Sequence, residues 1–200
     1  MADSSPILFV AGFGRCGTTM VMTMLDRGGF PVAGRAPDYE DDSMMPGRID
    51  HHWLRAQTGK AVKWIAPLEA KIRSADLAAP PVIIHLNRDK REMAASQVKM
   101  ASAFTGVPND RRTRKAFERD LIASEPKLVK ALNAMGTVYS MTFEWILEHP
   151  GDAAQKLGAI IAHEFGRSFD AEAASRVPLR RPARCAPDLS FEASLSESTR

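Results

Sequence analysis

Short apolar runs alternate along this chain with longer segments in which apolar residues recur at helical spacing. The runs at residues 7–11 and 81–86 are almost continuously apolar and begin or end at glycine or proline, as is typical of buried strands in a parallel sheet. Segments 59–67 and 137–143 are also predicted to be strands. A further brief strand is predicted at 30–32.

Helical segments fall between these strands. Residues 18–27 have apolar side chains at helical spacing and end at a Gly-Gly pair, which is a stop signal. Pro126 should start, kink or divide the helical segment in which it lies. The other predicted helices are 51–57, 89–104, 116–135 and 151–165, and a basic loop is predicted at 106–115.

This alternation predicts an α/β fold. Helices should cover both faces of a central, mostly parallel sheet, giving three layers (α/β/α) with right-handed crossovers. Two hundred residues suit one compact domain, and we expect it to span residues 1–175. From residue 176 the pattern gives way to Pro, Arg and Ser, which predicts an extended or partly disordered tail over 176–200.

Composition excludes some classes of function. The chain is 44% hydrophobic and 26% charged, and its formal net charge of +3 is too small to argue for a nucleic-acid partner. It has neither a signal-like start nor an apolar stretch long enough for a membrane helix, so no membrane partner is expected. Cys16 and Cys185 have no pairing or metal-ligand spacing, which favours a reduced, cytoplasmic setting.

The most informative motif is the glycine-rich loop at residues 12–19, which reads Gly-Phe-Gly-Arg-Cys-Gly-Thr-Thr. It follows a predicted strand and opens a predicted helix. Glycines let the backbone turn tightly and present successive N–H groups to an anion, and the helix N-terminus adds a positive dipole end. Arg15 adds a fixed positive charge, and Thr18 and Thr19 add hydroxyl donors. The loop therefore predicts a site for the phosphate end of a nucleotide.

The loop differs from that of P-loop kinases and NTPases. Those proteins have lysine, which reaches the β- and γ-phosphates, where this chain has Thr18. The loss of that lysine favours a ligand with a shorter 5′ phosphate chain. Cys16 lies at the start of the predicted helix, where a thiol can be activated, but a packed thiol lining the loop is the simpler interpretation.

Taken together, these features resemble the sulfotransferase family, which transfers sulfuryl from 3′-phosphoadenosine-5′-phosphosulfate (PAPS). Residues 15–19 are similar to the family's loop for the 5′-phosphosulfate, with Cys16 in place of the usual serine. Arg88 at a strand end and Ser96 eight residues later match its 3′-phosphate signature. Weaker similarities occur at 59–68 and 143–150. The resemblance covers about residues 7–170, with gaps, and is greatest to short bacterial sulfotransferase-like proteins.

The resemblance implies a P-loop NTPase-like (sulfotransferase-like) fold and roles for individual residues. Arg15 and Lys63 would stabilise charge as adenosine-3′,5′-bisphosphate (PAP) leaves, and Glu40 would act as general base on a hydroxyl or amine of a small-molecule acceptor. No metal would be required. Arg88 and Ser96 would hold the 3′-phosphate. The residues implied to hold the 5′-phosphosulfate are Gly14, Arg15, Cys16, Gly17, Thr18 and Thr19.

Several assignments stay open at this point. The family's histidine base is missing after Lys63, so the carboxylates and histidines of the region after the first helix are all candidate bases. Trp53 and Trp64 suit either an acceptor pocket or the core, and His85 suits a buried structural position. The tail arginines suit a solvated tail better than a phosphate site. The alternative bases are Asp38, Asp41, His51 and His52, and the tail arginines are Arg180, Arg181 and Arg184.

Two other functions compete with sulfuryl transfer. A P-loop kinase or NTPase would need Mg²⁺, with Asp89 as its metal-linked acid, although Arg88 intervenes where an apolar strand should lead directly to the aspartate. A nucleotide-binding relative without turnover would explain both the missing histidine and the cysteine at position 16.

Overall fold

The computed structural model describes residues 5–44, 49–69 and 71–178. Four strands form one sheet in the order β2-β1-β3-β4, and every neighbouring pair is parallel. This arrangement confirms the predicted α/β class. Ala11 lies opposite both Trp64 of β2 and His85 of β3, so β1, which leads into the glycine-rich loop, is one of the two inner strands. The strands are β1 Leu8–Gly12, β2 Ala61–Ile65, β3 Val82–Asn87 and β4 Thr137–Thr142.

Seven α-helices surround this sheet within the described ranges. None of them is long and apolar enough to cross a bilayer. They are α1 Thr18–Arg27, α2 His51–Arg55, α3 Lys90–Thr105, α4 Arg111–Asn133, α5 Phe143–Glu148, α6 Pro150–Phe165 and α7 Ala171–Ser175.

Alternate side chains of the strands enter two cores, one on each face of the sheet. Leu8 and Val10 of β1 belong to a core built with apolar residues of α1, α6 and α7. Phe9 and Ala11 belong to a second core, to which α2 contributes Leu54 and α4 contributes residues near its C-terminus. Strands β1, β2 and β3 are therefore buried on both faces, which explains why β1 is continuously apolar, whereas the edge strand β4 is mostly exposed or half-buried.

Two predicted elements differ from the structure. Residues 30–32 form only an isolated parallel bridge, between Val32 and Ala61, instead of a strand. The predicted basic loop 106–115 is also wrong in its second half, because α4 already begins at Arg111, where the Asp110 side chain accepts a hydrogen bond from the Thr113 amide at 2.7 Å.

Pro126 lies inside α4 and does not divide it. Proline removes the hydrogen bond to the carbonyl four residues earlier, which here belongs to Ile122. Both Pro126 and Ile122 are exposed, so water can satisfy the freed carbonyl on the outer face of the helix. The expected tail 176–200 lies outside the described residues from position 179 onward, including Arg180, Arg181 and Arg184.

His85 is buried in β3, as its position in the apolar run predicts, and is 4% exposed. Its Nε2 lies 3.7 Å from Glu125 Oε1 of α4, at the border of a cavity of about 470 Å³. Burial holds the pKa of His85 below its ordinary value of 6.5; Lys90 acts in the same direction and Glu125 opposes it.

The lowered pKa of His85 predicts acid sensitivity. Below pH 6.5 the unfolded chain binds a proton at His85 more readily than the folded chain does. Protonation therefore favours the unfolded state, so the contribution of His85 to the free energy of unfolding is fully present above pH 6.5 and is lost as the pH drops. We expect wild type to lose more stability than His85→Gln between pH 7.5 and 5.5 in urea titrations. His163→Gln, at a side chain 78% exposed, is the matched control and should behave as wild type. Equal pH dependence of wild type and His85→Gln would contradict this account.

Candidate active site

The glycine-rich loop connects β1 to α1, as predicted. Arg15 has a φ of 72° and Gly17 a φ of 100°, and these two left-handed residues curl the backbone at the helix N-terminus. Gly17 is the N-cap of α1, and within the described chain no side-chain hydrogen bond caps this helix. The loop therefore has the form that binds anions through backbone N–H groups and the helix dipole.

Gly17 is required at its position for two reasons. Its φ lies in the region that side chains disfavour, and a Cβ there would lie 2.6 Å from Cδ2 of Phe143. We expect Gly17→Ala to lower the free energy of unfolding by about 1–3 kcal/mol. Gly106→Ala separates the two causes, because Gly106 has a φ of 71° but a Cβ added there would meet no atom of the described residues within 4 Å. It should cost clearly less in the same urea titration; equal losses would remove the Phe143 contact from the explanation.

Cys16 is a packed thiol. It is 1% exposed, and its backbone N–H donates to the Phe13 carbonyl at 3.3 Å. Burial raises the pKa of Cys16 to about 12, so the thiol stays protonated at neutral pH in spite of its place at the helix start. Cys16 thus shapes the loop from inside, and this geometry does not favour an activated nucleophile.

The loop lies against Arg88 and Ser96, which follow Arg15 by 73 and 81 residues in the sequence. Arg15 Nε donates to Ser96 Oγ at 3.0 Å, and Arg88 Nη1 donates to the Arg15 carbonyl at 3.2 Å. Gln97 also reaches the loop, since its Nε2 donates to the Gly14 carbonyl at 2.7 Å. The N-terminal half of α3 therefore holds the loop in place as well as carrying Ser96.

Arg88 keeps binding capacity in this position. Its guanidinium lies 4.6 Å from the centroid of the Phe143 ring, which fixes the plane of the group. Its Nε is buried and has no hydrogen-bond partner among the described residues. An unsatisfied buried donor is costly, so an anion that accepts from Arg88 Nε would relieve that cost.

Lys63 forms a second cluster on the other side of the loop. Its side chain is 3% exposed, and Nζ donates to Thr19 Oγ1 at 2.8 Å, to the Asp38 carbonyl at 2.8 Å and to Glu40 Oε1 at 2.7 Å. Glu40 is 37% exposed, so its carboxylate joins the buried lysine to solvent. The structure thus brings Lys63 and Glu40 together with a loop threonine.

The alternative candidate bases have other partners. Asp38 Oδ1 accepts from the Glu40 amide at 3.2 Å and Asp41 Oδ1 from the Ser43 amide at 2.9 Å, so both carboxylates organise turns of their own loop. His51 Nδ1 lies 3.5 Å from Asp76 Oδ2, and the His52 amide donates to the N-cap Asp50. Among the five candidate bases, Glu40 is the one whose side chain contacts Lys63; Asp38 contacts it through its backbone carbonyl.

The remaining sequence candidates have structural positions. Trp64 is 2% exposed and packs on Phe9 with ring centroids 5.0 Å apart, so it belongs to the core. Trp53 is partly buried against the same core. Asp89 caps α3 by accepting from the Glu92 amide at 2.9 Å. Within residues 5–44, 49–69 and 71–178, no group of three or more His, Cys, Asp or Glu side chains is arranged to hold a metal ion.

Comparison with known proteins places this geometry in context. No protein-family model matches the sequence, and no curated protein matches it either. Among solved structures, the chain is similar to mouse sulfotransferase SULT7A1 complexed with PAP, with a TM-score of 0.53 and 15% identity over 88% of this chain and 66% of that one. Retinol dehydratase in complex with retinol and PAP also matches, with a TM-score of 0.48 and 17% identity over 89% and 64%. The chain therefore spans just under two thirds of the length of these structures, and it has the sulfotransferase fold.

Proposed function

We propose that this chain is a sulfotransferase that transfers a sulfuryl group from PAPS to a hydroxyl or amine of a small-molecule acceptor. The observation that carries the proposal is the convergence of two clusters on one glycine loop: Arg88 and Ser96 on one side, Lys63 and Glu40 on the other. A nucleotide with phosphate at both its 3′ and 5′ positions matches the loop amides together with Arg88 and Ser96, and Lys63 and Glu40 would then lie at the reacting end. The fold similarity to a PAP-bound sulfotransferase supports the same ligand.

The residues present fit a nucleotide of this kind. The loop amides, Thr18 and Thr19 would hold the 5′ end at the N-terminus of α1. Arg88 would bind the 3′-phosphate through its unsatisfied Nε. Ser96 Oγ accepts from Arg15, so its own O–H is available to donate to a phosphate oxygen. When bound, PAPS supplies the activated sulfuryl group.

The chemistry of the chain's own side chains is acid–base and electrostatic. Glu40 takes the proton of the acceptor hydroxyl or amine as that atom bonds to sulfur. Lys63, already at Thr19, would stabilise the negative charge that grows on the oxygen leaving with PAP. For Arg15, whose Nε donates to Ser96 Oγ, the same role stays a prediction. Thr19 places the lysine against the loop.

One observation favours a second candidate, a nucleotide-binding relative without turnover. All three Nζ donors of Lys63 already have acceptors, so the lysine is saturated in this state. No comparable observation favours a kinase, because Asp89 serves as a helix cap and Thr18 replaces the phosphate-binding lysine.

The proposal is tested by incubating the full chain with ³⁵S-labelled PAPS and a panel of phenols, alcohols and amines. Labelled product formed together with stoichiometric PAP is the expected result. PAP binding without transfer to any panel member would favour the non-catalytic relative. Absence of PAP binding would overturn both candidates.

A further inference from the structure

Glu40 lies on a loop that needs an anchor to hold it. In its described part, the segment between α1 and α2 contains one isolated bridge at Val32 and one short 3₁₀ turn, Asp42–Met44. A general base must stay within hydrogen-bond reach of its substrate, and a small misplacement lowers the rate strongly. The ion pair with Lys63 at 2.7 Å fixes the tip of the Glu40 side chain, but its backbone must be fixed by something else.

The residue before Glu40 is anchored through both its side chain and its backbone. Tyr39 is 3% exposed, and its hydroxyl donates to Asp26 Oδ2 of α1 at 2.8 Å. Its amide donates to the Arg35 carbonyl at 2.9 Å, and its backbone is left-handed, with a φ of 58°. Gly34 packs so closely that a Cβ there would lie 2.7 Å from the Tyr39 carbonyl oxygen. Consecutive residues therefore point to different partners, Tyr39 to α1 and Glu40 to Lys63.

Helix α1 links this anchor to the chemistry. It begins with Thr18 and Thr19 at the loop and carries Asp26 in its last turn. Burial and the neighbouring Asp26 carboxylate raise the pKa of Tyr39, so the hydroxyl remains a donor. One helix thus positions both the Thr19 hydroxyl that receives Lys63 and the loop that carries Glu40.

We infer that Tyr39, held through its hydrogen bond to Asp26, is a positioning residue that sets Glu40 against Lys63 and Thr19. The inference rests on the proposed function for its catalytic consequence. The structural part of the inference is that the Tyr39–Asp26 hydrogen bond holds Glu40 in contact with Lys63, and this part does not depend on the proposed function. Tyr39→Phe deletes one hydroxyl and leaves the buried ring, so it tests the bond with little change in packing.

Kinetics tests the catalytic part. Tyr39→Phe should lower kcat by about 10–100-fold while the Kd for PAP and the acceptor KM stay within about twofold. In a Glu40→Gln background the same change should have almost no further effect, because both substitutions act through one group. Tyr139→Phe is the matched control, since it is the chain's other tyrosine and donates to Glu164 at 2.5 Å between β4 and α6. A kcat for Tyr39→Phe equal to that of Tyr139→Phe would overturn the inference.

Lysine labelling tests the structural part without any activity. Lys63 should resist reductive methylation in wild type and in Tyr139→Phe, and should become reactive in Tyr39→Phe and in Asp26→Ala, which removes the acceptor of the Tyr39 hydroxyl, as quantified by peptide mass spectrometry. Exposed Lys71 serves as the internal standard. Continued protection of Lys63 in both variants, with melting temperatures near wild type, would overturn the inference. If wild type transfers no sulfuryl, the proposed function fails while this labelling result still decides the role of Tyr39.

Discussion

Glu40→Gln is expected to lower kcat by about 10²–10⁴-fold, the usual contribution of a general base. Glutamine keeps the size of the side chain and an oxygen that can accept from Lys63 Nζ, now 2.7 Å from Glu40 Oε1. It cannot take a proton from the acceptor. Binding of PAP should change little, because Glu40 is proposed to lie at the reacting end of the site. Steady-state kinetics with PAPS and calorimetric titration with PAP measure the two quantities.

The matched control for Glu40 lies on the same loop. Asp41→Asn also removes one carboxylate charge, at a residue whose Oδ1 accepts from the Ser43 amide. It should retain kcat within a few-fold. Full activity of Glu40→Gln, or an equal loss in Asp41→Asn, would remove Glu40 from the role of base.

Arg88→Ala is expected to weaken binding of PAP at least tenfold and to leave binding of adenosine-5′-phosphate almost unchanged. A charge-assisted hydrogen bond of the kind that Arg88 Nε can form is worth about 1.5–3 kcal/mol, which corresponds to roughly 10–150-fold in Kd. Only a ligand with a 3′-phosphate would lose it. Isothermal titration calorimetry with the two nucleotides gives both constants directly.

Two controls distinguish loss of the 3′-phosphate contact from a general loss of charge or of folding. Arg91→Ala removes an exposed guanidinium three residues after Arg88, in the first turn of α3, and should leave both affinities as in wild type. Thermal melting of Arg88→Ala checks the fold, since Arg88 also contacts Phe143 and the Arg15 carbonyl. Equal losses for both nucleotides would contradict a 3′-phosphate role.

Local signals in the sequence predict the strands and the helix that carry the glycine-rich loop. Helix α1 begins and ends where the pattern places it, because glycine-rich sequence fixes both of its ends. Every end of the four strands lies within about two residues of its predicted position. Their parallel pairing follows from the intervening helices. A loop between β1 and α1 must then lie at the carboxyl edge of the sheet, where open α/β sheets bind ligands.

Local sequence patterns do not show which side chains contact each other across the fold. Glu40, Asp38 and Asp41 are equivalent as an acidic cluster, and only the fold joins Glu40 to Lys63, 23 residues away in sequence. The same is true of Tyr39 and Gln97, which sequence reasoning passes over. Gln97 follows the predicted Ser96 directly, so its place next to that residue is the available signal.

Element boundaries without glycine or proline are also harder to predict. The start of α4 depends on the Asp110 side chain as N-cap, in a stretch whose positive charge suggests a loop. Short α5 and α7 have too few residues for a helical period to be visible. Their existence depends on packing against longer elements.

We propose that one nucleotide with phosphates at both ends occupies the loop and Arg88 together. The decisive experiment is calorimetric titration of the wild-type chain with PAP, adenosine-5′-phosphate and Mg–ATP. We expect PAP to bind at least tenfold more tightly than adenosine-5′-phosphate and more tightly than Mg–ATP. Equal affinity for PAP and adenosine-5′-phosphate, or a preference for Mg–ATP, would rule out this mode of binding.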